Sequence, residues 1–173
     1  MKIGFCGTMS VGKTTLVKAL QELPELKDYK FATERSAYLN SLGIPLNHET
    51  TIEGQTIFLA ERVSELMQPK IITDRTIIDV IAFTKCARKT SMTNGEEFEE
   101  YAKRFIYQYD YIFYISPEGM DMEDNGVRET NLKYRNEIDV CIQELLKKHR
   151  PIYFTIKGST EERIKQILKT ITF

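Results

Sequence analysis

No stretch of this chain approaches the ~18 consecutive apolar residues that a membrane-spanning helix requires, so the sequence gives no reason to expect a bilayer around it. Its first residues are not a charged segment leading into an apolar one, and the expectation is a protein without a secretory signal, cytoplasmic in location. Cysteine is scarce: Cys6, Cys86 and Cys141 are odd in number and widely spaced. That argues against a disulfide framework or a zinc site and fits a reducing compartment. Cys6 and Cys141 lie in apolar surroundings and read as small core residues. The only histidines, His48 and His149, have no Cys or His at metal-ligand spacing and are expected at the surface. Neither sign of charge is in excess, with 24 Lys and Arg against 25 Asp and Glu for a net charge of −1. Such a balance gives no long-range pull toward nucleic acid or an anionic surface. Repeats, low-complexity tracts and Pro/Ser-rich linkers are missing too. With 173 residues, 42% of them hydrophobic, the expectation is one packed domain over residues 1–173.

What is present is concentrated near the start. Gly7-Thr8-Met9-Ser10-Val11-Gly12-Lys13-Thr14 fits G-x-x-x-x-G-K-[ST]. The apolar run Ile3-Gly4-Phe5-Cys6 enters it as a buried strand, and Thr14-Thr15-Leu16-Val17-Lys18-Ala19-Leu20 leaves it with helical spacing. Strand, glycine loop and helix start together make a phosphate cradle. The glycines let backbone N–H groups turn inward, and the helix N-terminus adds partial positive charge. Gly7, Met9, Ser10, Val11, Gly12, Lys13, Thr14 and Thr15 are the residues expected to hold a nucleoside triphosphate. Lys13 can reach the β/γ-phosphates and the Thr14 hydroxyl can ligate Mg²⁺.

Five short apolar runs, at residues 2–6, 29–33, 70–73, 111–116 and 152–156, alternate with helical patterns. They are rich in Ile, Phe and Tyr rather than alternating with polar residues, as strands of a parallel sheet covered on both faces should be. The expected fold class is therefore α/β, with helices on both faces of a five-stranded parallel sheet. Helical patterns span 52–67, 79–88 and 131–149. A capping box at Thr93-Asn94-Gly95-Glu96 predicts a helix with Phe98, Tyr101, Ala102, Phe105, Ile106 and Tyr109 on one face, and a second at Ser159-Thr160-Glu161-Glu162 opens the last helix.

In an open parallel sheet ligands gather at the carboxyl ends of the strands, so the residues following each run matter most. These are Thr33-Glu34-Arg35-Ser36, Asp74-Arg75-Thr76 with Asp79 beyond it, Ser116-Pro117-Glu118 and Gly158-Ser159. Asp74 can complete the Mg²⁺ shell that Thr14 begins, through a water. Arg75 can grip a phosphate or a substrate edge by its planar fork. Glu34 can accept a substrate hydroxyl's proton during transfer. Arg35 and Asp79 are further substrate-side candidates, although Asp79 also reads as a first-turn acid favoured by the helix dipole. Residues 117–135 read as a lid. Its polar stretch from Asp121 to Gly126 cannot pack a core, and Arg128 and Arg135, seven residues apart, share one side of a helix that begins early. A moving segment bearing arginines supplies positive charge over a migrating phosphoryl group. The alternative for Arg135 is an i,i+4 pair with Asp139 on a solvated helix.

Together these motifs resemble the P-loop kinases of small molecules, and the whole chain is similar to the ribosylnicotinamide-kinase-like branch, with nucleoside and thymidylate kinases as neighbours. The resemblance rests on Gly7 to Thr14, Glu34-Arg35, Ile71-Ile72-Thr73-Asp74-Arg75 with Asp79, Tyr109-Asp110-Tyr111, Asn125-Gly126-Val127-Arg128 with Arg135, and Ile156-Lys157-Gly158-Ser159. It implies a P-loop NTPase fold, ATP as phosphoryl donor and Mg²⁺ as cofactor. It also implies a small nucleoside or nucleotide as the partner that receives the phosphate. By resemblance Glu34 meets the acceptor hydroxyl, Arg75 lies beside the acceptor, Arg128 is the lid arginine and Gly158-Ser159 edges the adenine. Related nucleoside kinases often carry Glu-Arg-Ser after the third strand. Here it is Asp-Arg-Thr, nearer the Asp-Arg of thymidylate kinases, which leaves nucleoside and monophosphate acceptors both open. A homodimer is compatible with the sequence. Two other readings compete. A hydrolytic switch or motor would need Asn-Lys-x-Asp to read guanine, or a strand ending in Asp-Glu to orient water, and neither occurs. A kinase acting on a base or end within DNA would normally show a basic face, which the near-neutral charge does not suggest.

Overall fold

The structure is a computed structural model that describes residues 1–33, 35–119, 131–150 and 152–171. Five strands, β1 (Lys2–Cys6), β2 (Lys30–Ala32), β3 (Ile71–Thr73), β4 (Tyr111–Ile115) and β5 (Phe154–Ile156), form one sheet in the order β2-β3-β1-β4-β5. Every pairing is parallel. The helices are α1 (Lys13–Gln21), α2 (Ser36–Ser41), α3 (Ile52–Glu65), α4 (Ile77–Lys85), α5 (Met92–Ala102), α6 (Leu132–His149) and α7 (Thr160–Thr170). The direction in which successive strands join the sheet switches beside β1, with β3 on one side and β4 on the other, and the crevice there opens at the loop leading into α1.

Alternation along the strands builds two cores. Ile3 and Phe5 of β1, Ile72 of β3, and Phe113 and Ile115 of β4 pack with Leu16, Val17 and Leu20 of α1 and Ile167 of α7. Their neighbours Cys6, Ile71, Ile112 and Tyr114 point the other way, into a larger cluster with Phe58, Ile78, Ile81, Phe98, Ile138 and Ile142 from α3 to α6. Each face of the sheet is thus covered by helices, giving three layers, α/β/α. Gly4 faces the larger cluster and is required there. A Cβ would lie 2.6 Å from the Tyr109 ring and 2.5 Å from the Thr76 methyl group.

The helix patterns hold with local changes. Pattern 52–67 becomes α3, capped by the Thr51 side chain, and the last helix opens on the expected box, Ser159 with Glu162. The box at Thr93 is not the cap. Ser91 accepts from the Asn94 amide and α5 starts at Met92, because a hydroxyl three residues before a free amide closes the turn earlier. This helix also stops at Ala102, and residues Lys103–Gln108 continue as a 3₁₀ turn. The expected face is thereby broken: Phe98, Ala102, Ile106 and Tyr109 are buried, while Tyr101 is exposed with the Arg104 guanidinium 4.8 Å from its ring centroid. Both histidine expectations are corrected as well. His149 is buried, with Nε2 2.7 Å from a Glu99 carboxylate oxygen, and His48 is partly covered by the Tyr134 ring at 4.1 Å between centroids. Among the described residues no helix is long and apolar enough to cross a membrane.

Candidate active site: a phosphate cradle and an adjoining pocket

The loop between β1 and α1 takes the path its glycines permit. Gly7, Ser10 and Gly12 all have positive φ, at 151°, 56° and 75°, turning successive peptides around a concave centre. Met9 and Val11 send their side chains into opposite cores, so the loop offers its interior mainly backbone. Lys13 lies back over it, Nζ donating to the Gly7 carbonyl at 2.6 Å and the Thr8 carbonyl at 2.7 Å. Burial lowers the Lys13 ammonium's pKa, and the nearby Arg75 guanidinium lowers it further, against the pull of Asp79 and Asp74. Thr15, one residue beyond Thr14, is exposed on the first turn of α1.

Three distant side chains and carbonyls fasten this loop. Asp79 accepts from the Gly7 amide at 3.1 Å. The Thr8 hydroxyl donates to the Arg135 carbonyl at 2.9 Å. Arg163 donates to the Val11 carbonyl at 2.8 Å.

Asp74 ends β3 directly beside the cradle and is fully buried, its Oδ2 accepting from the Thr14 hydroxyl at 2.5 Å. A hydroxyl and a carboxylate side by side are two hard oxygen donors, the set that suits Mg²⁺ when phosphate oxygens and water supply the rest. No larger His, Cys, Asp or Glu cluster able to hold a metal occurs among the described residues.

Asp79, a substrate-side candidate in the sequence, is tied into the fold on both oxygens. It is fully buried, and its Oδ2 accepts from the Thr76 amide at 2.7 Å and the Thr76 hydroxyl at 2.9 Å, forming a capping box that starts α4. With Oδ1 on Gly7, both oxygens serve the fold. Arg75 holds a strained φ of 147°, a conformation an L-residue adopts only when its surroundings impose it. Its guanidinium lies 4.7 Å from the Phe83 ring centroid, on the wall of a pocket.

That pocket is lined by Ser36, Asn47, Gln55, Phe58, Arg75 and Phe83, with Leu46 and Val80. Aromatic walls with a few polar groups are what a small planar ligand needs. Gln55 is buried on α3, and its amide nitrogen donates to the Thr50 hydroxyl at 2.8 Å. Strand ends alone do not reveal Gln55, Phe58 or Phe83. The signal in the sequence is a glutamine within an otherwise apolar helix stripe.

The remaining candidates are placed as follows. Arg35 pairs with Glu61 at 3.0 Å and lies over the Tyr38 ring. Arg135 is buried in the first turn of α6, its carbonyl tied to the loop through Thr8, rather than on a solvated face. Gly158 and Ser159 are exposed after β5. The Ser159 amide donates to Glu162 at 2.7 Å and its hydroxyl accepts from the Glu162 amide at 3.2 Å, so its polar atoms cap α7. Glu34 and Arg128, with lid residues 120–130, lie outside the described residues.

Solved structures share this architecture. A deoxyadenosine kinase from M. mycoides with dCMP and a flexible dCDP bound superposes with a TM-score of 0.70 at 19% identity, covering 98% of this chain and 97% of that one. The NadR protein in complex with NR gives 0.73 at 17% identity, with 96% of this chain matching 50% of NadR. YorR from Bacillus subtilis, in complex with phosphorylated GDP, gives 0.62 at 17% identity over 98% of this chain and 94% of that one. No curated protein sequence matches the chain. At such identities the likeness is one of fold, a P-loop fold that nucleoside-kinase structures also have. The sequence match that fixes the family is independent of it and covers residues 2–163: the chain belongs to the AAA domain family.

Proposed function

We propose that the protein is a kinase that passes the γ-phosphoryl group of ATP to a nucleoside or nucleotide. The observation that carries this reading is the adjacency of the cradle, the Thr14–Asp74 oxygen pair and a partly aromatic pocket whose wall includes Arg75. The similarity to structures bound to dCMP, NR and phosphorylated GDP supports a nucleoside-like acceptor.

On this reading the loop amides and the Lys13 ammonium bind the β- and γ-phosphates; Lys13 exchanges its bonds to Gly7 and Thr8 for phosphate oxygens. Thr14 and Asp74 would hold Mg²⁺, which when bound neutralises charge on the phosphates. Phe58 and Phe83 flank the acceptor's ring and Gln55 meets its edge, leaving the hydroxyl or phosphate that receives the group facing the cradle. Arg75 steadies the acceptor and the charge that develops on the migrating group. Glu34 is the proton acceptor and Arg128 the lid cation by their places in the sequence.

The test is a panel of nucleosides and nucleoside monophosphates incubated with γ-labelled ATP and Mg²⁺. Label in one class of acceptor identifies the substrate. ATP turnover that is fast without any acceptor overturns the reading in favour of hydrolysis, and label only in DNA ends places the acceptor elsewhere.

A further inference from the structure

Arg163 lies on α7, 152 residues from the loop it touches, and only 3% of its surface is exposed. Burying a guanidinium is costly unless its donors are used, and Nη1 is used on the backbone carbonyl of Val11. That carbonyl belongs to the residue between Ser10 at φ 56° and Gly12 at φ 75°. Peptide groups are planar and trans, so a carbonyl drawn toward α7 directs the N–H of the same peptide, that of Gly12, the opposite way. On the kinase reading, that is the side on which phosphate oxygens would bind. Glycine at position 12 has no Cβ to resist a peptide flip, and the Val11–Gly12 unit therefore needs an external hold.

We propose that Arg163 is a positioning residue for the phosphate donor, holding the Gly12 amide toward the triphosphate by its bond to the Val11 carbonyl. The proposal rests on the kinase reading above and concerns its donor half alone. The acceptor pocket is lined from α2 to α4 and the segments between them, and none of its lining residues belongs to α7. Loss of the Arg163 bond therefore weakens ATP and leaves the acceptor untouched, a split that general loosening of the fold would not produce.

The experiment compares wild type with Arg163→Met, which has no donor, and Arg163→Gln, which keeps an N–H donor without charge. Binding of AMP-PNP with Mg²⁺ is followed by calorimetry, and KM for donor and acceptor is measured separately alongside the melting temperature. The expected result is about tenfold weaker AMP-PNP binding and a matching rise in donor KM for Arg163→Met, as for loss of one charge-assisted hydrogen bond. Arg163→Gln recovers part of that loss, and acceptor KM stays unchanged in both. Variants that bind AMP-PNP like wild type, or in which both KM values rise together, overturn the proposal. Should Arg163→Met not fold, the same comparison with Arg163→Gln decides. Wild-type protein that does not bind AMP-PNP overturns the kinase reading itself, whereas normal wild-type binding with indifferent variants overturns this proposal alone.

Discussion

The Thr14 hydroxyl and the Asp74 carboxylate meet at 2.5 Å, joining the first turn of α1 to the end of β3 across 60 residues of chain. Asp74 is fully buried, and the Thr14 hydroxyl's bond helps offset the cost of its desolvated carboxylate, leaving two hard oxygens side by side. Asp74→Asn removes the charge and keeps the shape. The Mg²⁺ concentration for half-maximal activity should rise about tenfold or more, the loss that even a supporting hydrogen bond costs a metal site. A magnesium titration of phosphoryl transfer checks this, and an unchanged midpoint refutes the assignment.

Lys13→Ala deletes the cation that lies over the cradle. The expected fall in kcat/KM is about a hundredfold or more, since a charge-assisted contact to phosphate is lost in a dry site. Stability should not fall with it, because the Lys13 ammonium is desolvated and burial already lowers its pKa. Steady-state kinetics and a thermal melt on the same preparation separate the two effects.

Glu99 ties three helices together. Lys85 of α4 donates to one of its oxygens, and Lys148 and His149 of α6 reach the other at 2.7 Å each. Burial pushes this carboxyl's pKa up, but the hydrogen bonds from Lys148, Lys85 and His149 outweigh it and hold the value at about 2. A carboxyl depressed on folding adds stability above its unfolded pKa and loses it as pH falls toward the folded one. Acid should therefore weaken the fold progressively from about pH 4.5 down to about 2 through this group. Glu99→Gln should cost roughly 3 kcal/mol at pH 7 and flatten that acid limb. Urea unfolding at pH 7 and pH 3 measures both.

Gly4→Ala tests the packing of β1 against the larger core. The added methyl would meet the Tyr109 ring at 2.6 Å and the Thr76 methyl at 2.5 Å, and both neighbours are themselves buried. Overpacking of this kind costs about 1–3 kcal/mol. Chemical denaturation gives the value, and a change under about 0.3 kcal/mol would mean that Tyr109 can step aside.

Local pattern carried much of the architecture. Continuous apolar runs such as Tyr111–Ile115 mark buried parallel strands, and Ser159 with Glu162 marks a helix start, because both signals lie within a few adjacent residues. The cradle was legible for the same reason. What escaped was nonlocal. Asp79 looks like a substrate-facing acid in sequence, yet Gly7, 72 residues earlier, claims one of its oxygens. Arg135 reads equally well on a solvated helix, and only the Thr8 contact reveals that its backbone is part of the loop's mounting. Gln55, Phe58 and Phe83 form a wall that no spacing within α3 or α4 would disclose, since two helices must first be packed together. His149 reads as a surface residue in sequence because its partner, Glu99, is 50 residues away.

The fastenings at Gly7, Thr8 and Val11 reach to residues 79, 135 and 163. During synthesis the Val11 carbonyl leaves the ribosome 152 residues ahead of Arg163, the side chain that fastens it. A chain halted before Arg163 would display the complete signature without the grip that the finished molecule gives it. The cradle is one short loop in sequence but is mounted by α4, α6 and α7, so it cannot be transplanted as a short peptide cassette.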